Sequence, residues 1–89
     1  MLRITENSEN GKTIRLRIDG TLTEVGYPEL ESLCVRYKMD DGIVLLLDMA
    51  GVVFMQSEVA KKLAGLRDDR LRIINCSPFI ETLLETVTK

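Results

Sequence analysis

The stretch "LLLDMAGVVFMQSEVAKKLAGL", residues 45–66, contains the change of hydrophobic period on which the fold turns. Its beginning belongs to a continuous run of apolar, mostly branched residues, Ile43–Leu47, the pattern of a central strand buried on both faces. Its end places Val59, Ala60, Leu63 and Leu66 at helical spacing, so a helix starts near Ser57. Between them the chain runs through a short link to Phe54-Met55-Gln56-Ser57-Glu58. A helix start of this kind sets a hydroxyl, an amide and a carboxylate side by side, on a connection of the sort that often carries function.

The same reading extends in both directions. Leu2 and Ile4 suggest a short strand, and Asn10-Gly11 is a hairpin signal. "TIRLRID" (13–19) alternates, with Ile14, Leu16 and Ile18 on one face and Arg15 and Arg17 on the other, and Gly20 breaks it. Pro28 suits the first helical position, and Leu30, Leu33, Cys34 and Tyr37 define a helix over 27–39 that "DDG" ends. After "RDD", "LRIIN" (71–75) is a further strand. Ser77-Pro78 then offers a cap and a first-turn proline to a helix whose apolar side is Ile80, Leu83, Leu84 and Val87.

The expected order is therefore β-β-α-β-α-β-α, an α/β fold in one domain, residues 1–89. Strands separated by helices pair in parallel through right-handed crossovers. The sheet is then a single layer of four strands, mixed but mostly parallel, with an N-terminal hairpin and three helices on one face. The other face, with Arg15, Arg17, Val44, Leu46, Arg72 and Ile74, stays partly open and gives a surface on which a homodimer could form.

Composition removes several functions. With 45% hydrophobic and 29% charged residues the chain reads as an ordinary soluble globular domain. Its net charge of −2, with acids and bases interspersed and only two Tyr and two Phe, lacks the basic, aromatic surface of nucleic-acid binders. There is no histidine, and Cys34 and Cys76 form no CxxC pair, so neither a metal site nor a redox motif is expected. The cysteines read as small buried hydrophobes in a reducing compartment. "MLRITENSEN" lacks the core of a signal peptide, and no run approaches the ~20 apolar residues of a membrane span. A soluble, cytoplasmic protein without membrane insertion is expected.

Three quoted segments carry a resemblance: "IDGTLT" before the first helix, "IVLLLDMAGVVFMQSEVAKKL" into the second, and "LRIINCSPFIETLL" at the end. Together they resemble the STAS domain, the sulfate-transporter and anti-sigma-factor-antagonist family. Asp48, Phe54, Met55, Ser57 and Leu63 match that family's pattern in type, as does Gly20-x-Leu22. Gln56 stands where the family usually has Asp, and Val59 where it has Gly. Glu58 occupies the position of the phosphoacceptor Ser or Thr of the bacterial antagonists, whose phosphorylation breaks their complex with a partner kinase. A phosphoryl group adds about −1.5 to −2 charges; a glutamate carries one, permanently, so position 58 cannot be switched in that way. The segment between Leu63 and Leu71 is shorter than the family norm, implying a truncated second helix.

Three readings of the helix start follow. Ser57 caps the helix with its hydroxyl while Glu58 sits in the positive end of the helix dipole, with no further role. Alternatively the same residues form a protein-docking surface, as the resemblance implies, with Glu58 mimicking a phosphorylated state. Thirdly, Ser57 serves as a substitute phosphoacceptor one residue early. Catalysis is not expected. Ser57 and the cysteines have no histidine to activate them, and Lys61 and Lys62 lie at solvent-facing spacing. The pairs Asp40-Asp41 and Asp68-Asp69 read as turn residues.

The sequence thus reads as a non-catalytic, STAS-like regulatory and signalling module without a cofactor. Its partner-binding residues are expected to be Gly20, Thr21, Thr23, Met55, Gln56, Ser57, Glu58, Lys61 and Lys62, with Met49 and Val52 as further contacts; Met49 and Met55 read equally well as core. The resemblance implies an anti-sigma kinase, a larger signalling assembly, or the ATPase of a lipid-transport ABC system as partner. A small-molecule or lipid-binding STAS module is the alternative.

Overall fold

A computed structural model describes residues 2–40 and 42–87; Asp41, half of one predicted acidic turn pair, lies outside them. The elements are β1 (Leu2–Ser8), β2 (Thr13–Leu22), α1 (Tyr27–Lys38), β3 (Val44–Met55), α2 (Ser57–Leu66), β4 (Leu71–Ile74) and α3 (Pro78–Val87). The strands lie side by side in chain order. β1 runs antiparallel to β2, and β2, β3 and β4 are mutually parallel.

The N-terminal hairpin closes because Asn10 can fold its side chain back. Its Oδ1 accepts the backbone N–H groups of Lys12 and Thr13 at 3.1 and 2.9 Å. Gly11 takes φ +78°, a conformation that costs glycine little. Alternation along β2 then buries Ile14, Leu16, Ile18 and Leu22. On the same face β3 contributes Leu45, Leu47 and Met49, and all three helices deliver side chains to that one core: Leu30 and Cys34 from α1, Val59 and Leu63 from α2, Ile80 and Leu84 from α3. The expected one-sided helical layer is therefore what forms. α3 begins as expected too, with the Ile80 N–H donating to Ser77 Oγ at 3.3 Å.

Two strand readings are corrected. Gly20 does not break β2; with φ +103° it stays within a strand that continues to Leu22. β3 is not a five-residue strand buried on both faces but a twelve-residue strand that alternates, with Val44 and Leu46 only half-buried on the open face. The link predicted after Leu47 is its second half, hidden by two irregularities. The register slips between Arg17 and Asp19 and again between Gly20 and Thr21 of β2, with the extra residue each time on β3. Each slip inverts the in–out pattern, so Val52 and Met55 return to the core although they are three residues apart. At the first slip Gly51 is needed for space, since a Cβ there would lie 1.9 Å from Asp19 Oδ1 and 3.0 Å from the Ile18 carbonyl oxygen.

The base of the sheet, where the parallel strands begin, is tied by side chains. Lys38 Nζ, at the end of α1, donates to the Leu66 carbonyl at 3.2 Å and lies 2.8 Å from Asp68 Oδ2. The Arg70 guanidinium donates to the carbonyls of Lys38 and Asp40 at 3.2 and 3.4 Å. The C-terminal ends of α1 and α2 thus share one charged clasp, which places cations at helix ends where the dipole favours them.

Candidate functional site at the β3–α2 connection

β3 ends at Met55 and α2 begins at Ser57, with Gln56 between them in extended conformation (φ −73°, ψ 147°). Gln56, not Ser57, is the N-cap, and no side chain caps the helix. The expected Ser57 cap is therefore corrected: Ser57 is already the first helical residue and its side chain is exposed. Gln56 uses its side chain elsewhere. Its Oε1 accepts the Glu24 backbone N–H at 2.7 Å, and its own N–H donates to the Leu22 carbonyl at 3.1 Å. One residue thereby fastens the β2–α1 turn to the start of α2.

That fastening determines which predicted residues meet. Gly20 pairs with Val52, and Thr21 with Phe54. The Thr23 carbonyl accepts the N–H groups of Gly26 and Tyr27 as the chain turns into α1. Gly20, Thr21 and Thr23 thus lie at the same end of the sheet as Gln56, Ser57 and Glu58, and these last three are exposed. Met55 departs from the group: it is buried, as are Met49 and Val52, so all three serve the core rather than the surface.

Glu58 lies in the first turn of α2, where the positive end of the helix favours a carboxylate. Its Oε1 is 3.3 Å from Lys61 Nζ, in a pair whose side chains are 61% and 60% exposed. Exposed pairs of this kind contribute about 0–1 kcal/mol. Lys62 leans the other way, with its Nζ 5.7 Å from the centre of the Tyr27 ring. The two neighbouring lysines therefore serve different contacts.

Two features escaped the sequence reading. Phe54 and Phe79 are both partly exposed, and their rings stack with centroids 6.5 Å apart and planes inclined by 20°. The sequence places Phe54 in a link before α2, and it is the second slip of β3 that turns it outward from the strand. The other feature is Asp48, a buried carboxylate on the open sheet face. Its Oδ1 accepts the Ala50 N–H at 3.0 Å and the Asn75 side-chain N–H at 3.1 Å, and its Oδ2 is 3.6 Å from Arg15 Nε. Burial raises the Asp48 pKa, but the Ala50 and Asn75 hydrogen bonds and the charges of Arg15 and Arg17 outweigh it and leave the value below the usual carboxylate range. Asp48 is a structural node joining β2, β3 and the end of β4; Asn75 reaches it from a left-handed conformation, φ 58°.

The cysteines stand apart from this end. Burial pushes the Cys34 thiol up to about 11, and burial with the nearby Glu81 also raises Cys76. Among the described residues no three His, Cys, Asp or Glu side chains gather as a metal site would require. No helix among them is long and apolar enough to cross a membrane. What the β3–α2 end offers is an exposed array of hydrogen-bonding and charged groups beside an aromatic pair.

A mixed four-stranded sheet with strands in chain order and three helices on one face defines the STAS-like α/β fold, and the chain has it. Among solved structures it is similar to the anti-sigma factor antagonist SpoIIAA in its unphosphorylated form, with a TM-score of 0.71 and 12% identity over 93% of this chain and 82% of that one. It is also similar to an uncharacterized DUF3478-family protein with a SpoIIAA-like fold from Shewanella loihica, with a TM-score of 0.57 and 16% identity over 98% of this chain and 77% of that one. No protein-family model and no curated protein matches the sequence.

Proposed function

We propose that this chain is a non-catalytic, cytoplasmic interaction module that docks a protein partner through the β2–α1 turn and the start of α2, in the manner of an anti-sigma factor antagonist. The observation that carries the reading is the Gln56 bridge. It holds two connections in one rigid surface and leaves Gln56, Ser57 and Glu58 facing solvent on a chain with the SpoIIAA fold. In this reading Glu58 supplies a fixed negative charge where a switched protein would carry a hydroxyl. The module is then held in one state, and its partner is an anti-sigma kinase, a related signalling assembly or a transporter ATPase.

The test is co-purification of the tagged chain with an ATPase of the histidine-kinase or transporter type, comparing wild type with Glu58→Ala and Glu58→Ser. A changed yield of one defined ATPase is expected. A yield insensitive to both substitutions overturns the docking assignment. If that ATPase is a kinase, incubation with ATP should leave the wild type unlabelled, and phosphate appearing on wild-type Ser57 would overturn the fixed-state assignment.

A further inference from the structure

The chain's two phenylalanines both lie at the surface, 44% and 52% exposed at Phe54 and Phe79, while Tyr27 is buried. Stacked as they are, they form the apolar wall of a shallow groove of about 480 Å³ between the start of α2 and the first turns of α3. Leu83 extends the same wall along α3, and the apolar strip continues over Pro78. The polar part of the lining is Glu24, Gln56, Ser57 and Glu58. Among the described residues neither a lysine nor an arginine lines the groove or its continuation. The two closest lysines in sequence are engaged, Lys61 with Glu58 and Lys62 over Tyr27.

From this charge pattern we propose that the groove seats an amphipathic, basic helix of the protein partner. The helix inserts aliphatic side chains between Phe54, Phe79 and Leu83 and sets lysine or arginine against Glu24 and Glu58. The proposal deepens the docking reading above and rests on it. Three physical points favour this occupant. Exposed aromatic side chains in a bounded concavity are the usual anchors of protein contacts, where they dominate binding. A strip formed by residues one helical turn apart, Phe79 and Leu83, accepts a second helix laid alongside. A groove whose charged lining residues, Glu24 and Glu58, are both carboxylates favours cationic flanks over anionic ones.

The experiment uses the isotope-labelled whole chain and three synthetic peptides. One is a fourteen-residue Leu/Lys peptide with leucines on one helical side, the second has the same composition in scrambled order, and the third replaces Lys with Glu. The segregated Leu/Lys peptide is expected to shift the amide resonances of Glu24, Phe54, Glu58, Phe79 and Leu83 at concentrations where the other two do not. Binding should weaken with added salt and fall by about tenfold or more in a Phe54→Ala/Phe79→Ala double variant, as loss of an anchor implies. Should that variant lose its dispersed spectrum, Glu24→Lys/Glu58→Lys replaces it and is expected to favour the Leu/Glu peptide.

Equal shifts from the scrambled peptide overturn the proposal. So do shifts confined to Glu81 and Glu85, or unchanged peptide preference in the substituted chain. The two readings separate cleanly. If ATPase capture depends on Glu58 but not on Phe54 and Phe79, the docking surface stands and the groove falls. If the peptide results hold while capture ignores Glu58, the groove stands and the partner assignment falls.

Discussion

The two halves of β3 obey different rules. From Leu45 to Asp48 the strand is paired on both sides, to β2 and to β4, in unbroken register. From Met49 to Met55 it has β2 alone for a neighbour and slips twice against it. In the doubly paired half every side-chain direction is fixed by its neighbours, and the one buried charge, Asp48, is satisfied by them. Where the second neighbour is missing the backbone can take extra residues, and Val53 and Phe54 turn outward. One strand thus supplies the centre of the core and, seven residues on, the edge of the proposed docking surface.

Substitutions along the strand can break this contrast. Leu47→Ala in the doubly paired half should have the largest effect, a loss of about 2–5 kcal/mol in urea unfolding. Asp48→Ala should cost about 1.5–3 kcal/mol, because the hydrogen bonds that Ala50 and Asn75 donate to a charged carboxylate would be lost. Its folded pKa is depressed, so the stabilisation is present above the unfolded value of about 3.9 and is lost as pH falls through the lower folded value. An Asp48→Asn variant should accordingly show a flatter acid limb in a stability–pH profile, and an unchanged limb would remove Asp48 from its role. At the exposed end Gln56→Ala should cost about 0.5–1.5 kcal/mol and speed hydrogen exchange of the Glu24 amide. The smallest effect is expected at Val53, 75% exposed, where Val53→Thr should stay within about 0.5 kcal/mol. A cost above 1 kcal/mol there would show the second half to be as constrained as the first.

The contrast also explains what could be read from the letters. Alternation in "TIRLRID", the turn at Asn10-Gly11 and the 3.6-residue period of the helices are local signals, and the fold class follows from them. The extent of β3 is not local. Each slip inverts the pattern, so Val52 and Met55 look out of phase with Leu47 until the pairing with β2 is known. The same inversion hid the outward turn of Phe54. At the candidate site the sequence located Gln56, Ser57 and Glu58 at the helix start but misassigned the cap. Serine is a frequent cap and glutamine is not, whereas here the long amide of Gln56 is drawn across to Glu24. Met55 was misplaced for a related reason, since its exposure depends on register rather than on residue type.

The clasp of Lys38, Asp68 and Arg70 has a counterpart at the opposite end of the helical layer, the Gln56 bridge. α1 and α2 are thus linked near both ends, at their C-termini through Lys38 and Arg70 and at their amino ends through the Glu24–Gln56 hydrogen bond. Neutralising Lys38 should free the C-terminal ends alone and speed amide exchange at the end of α1 more than at its start.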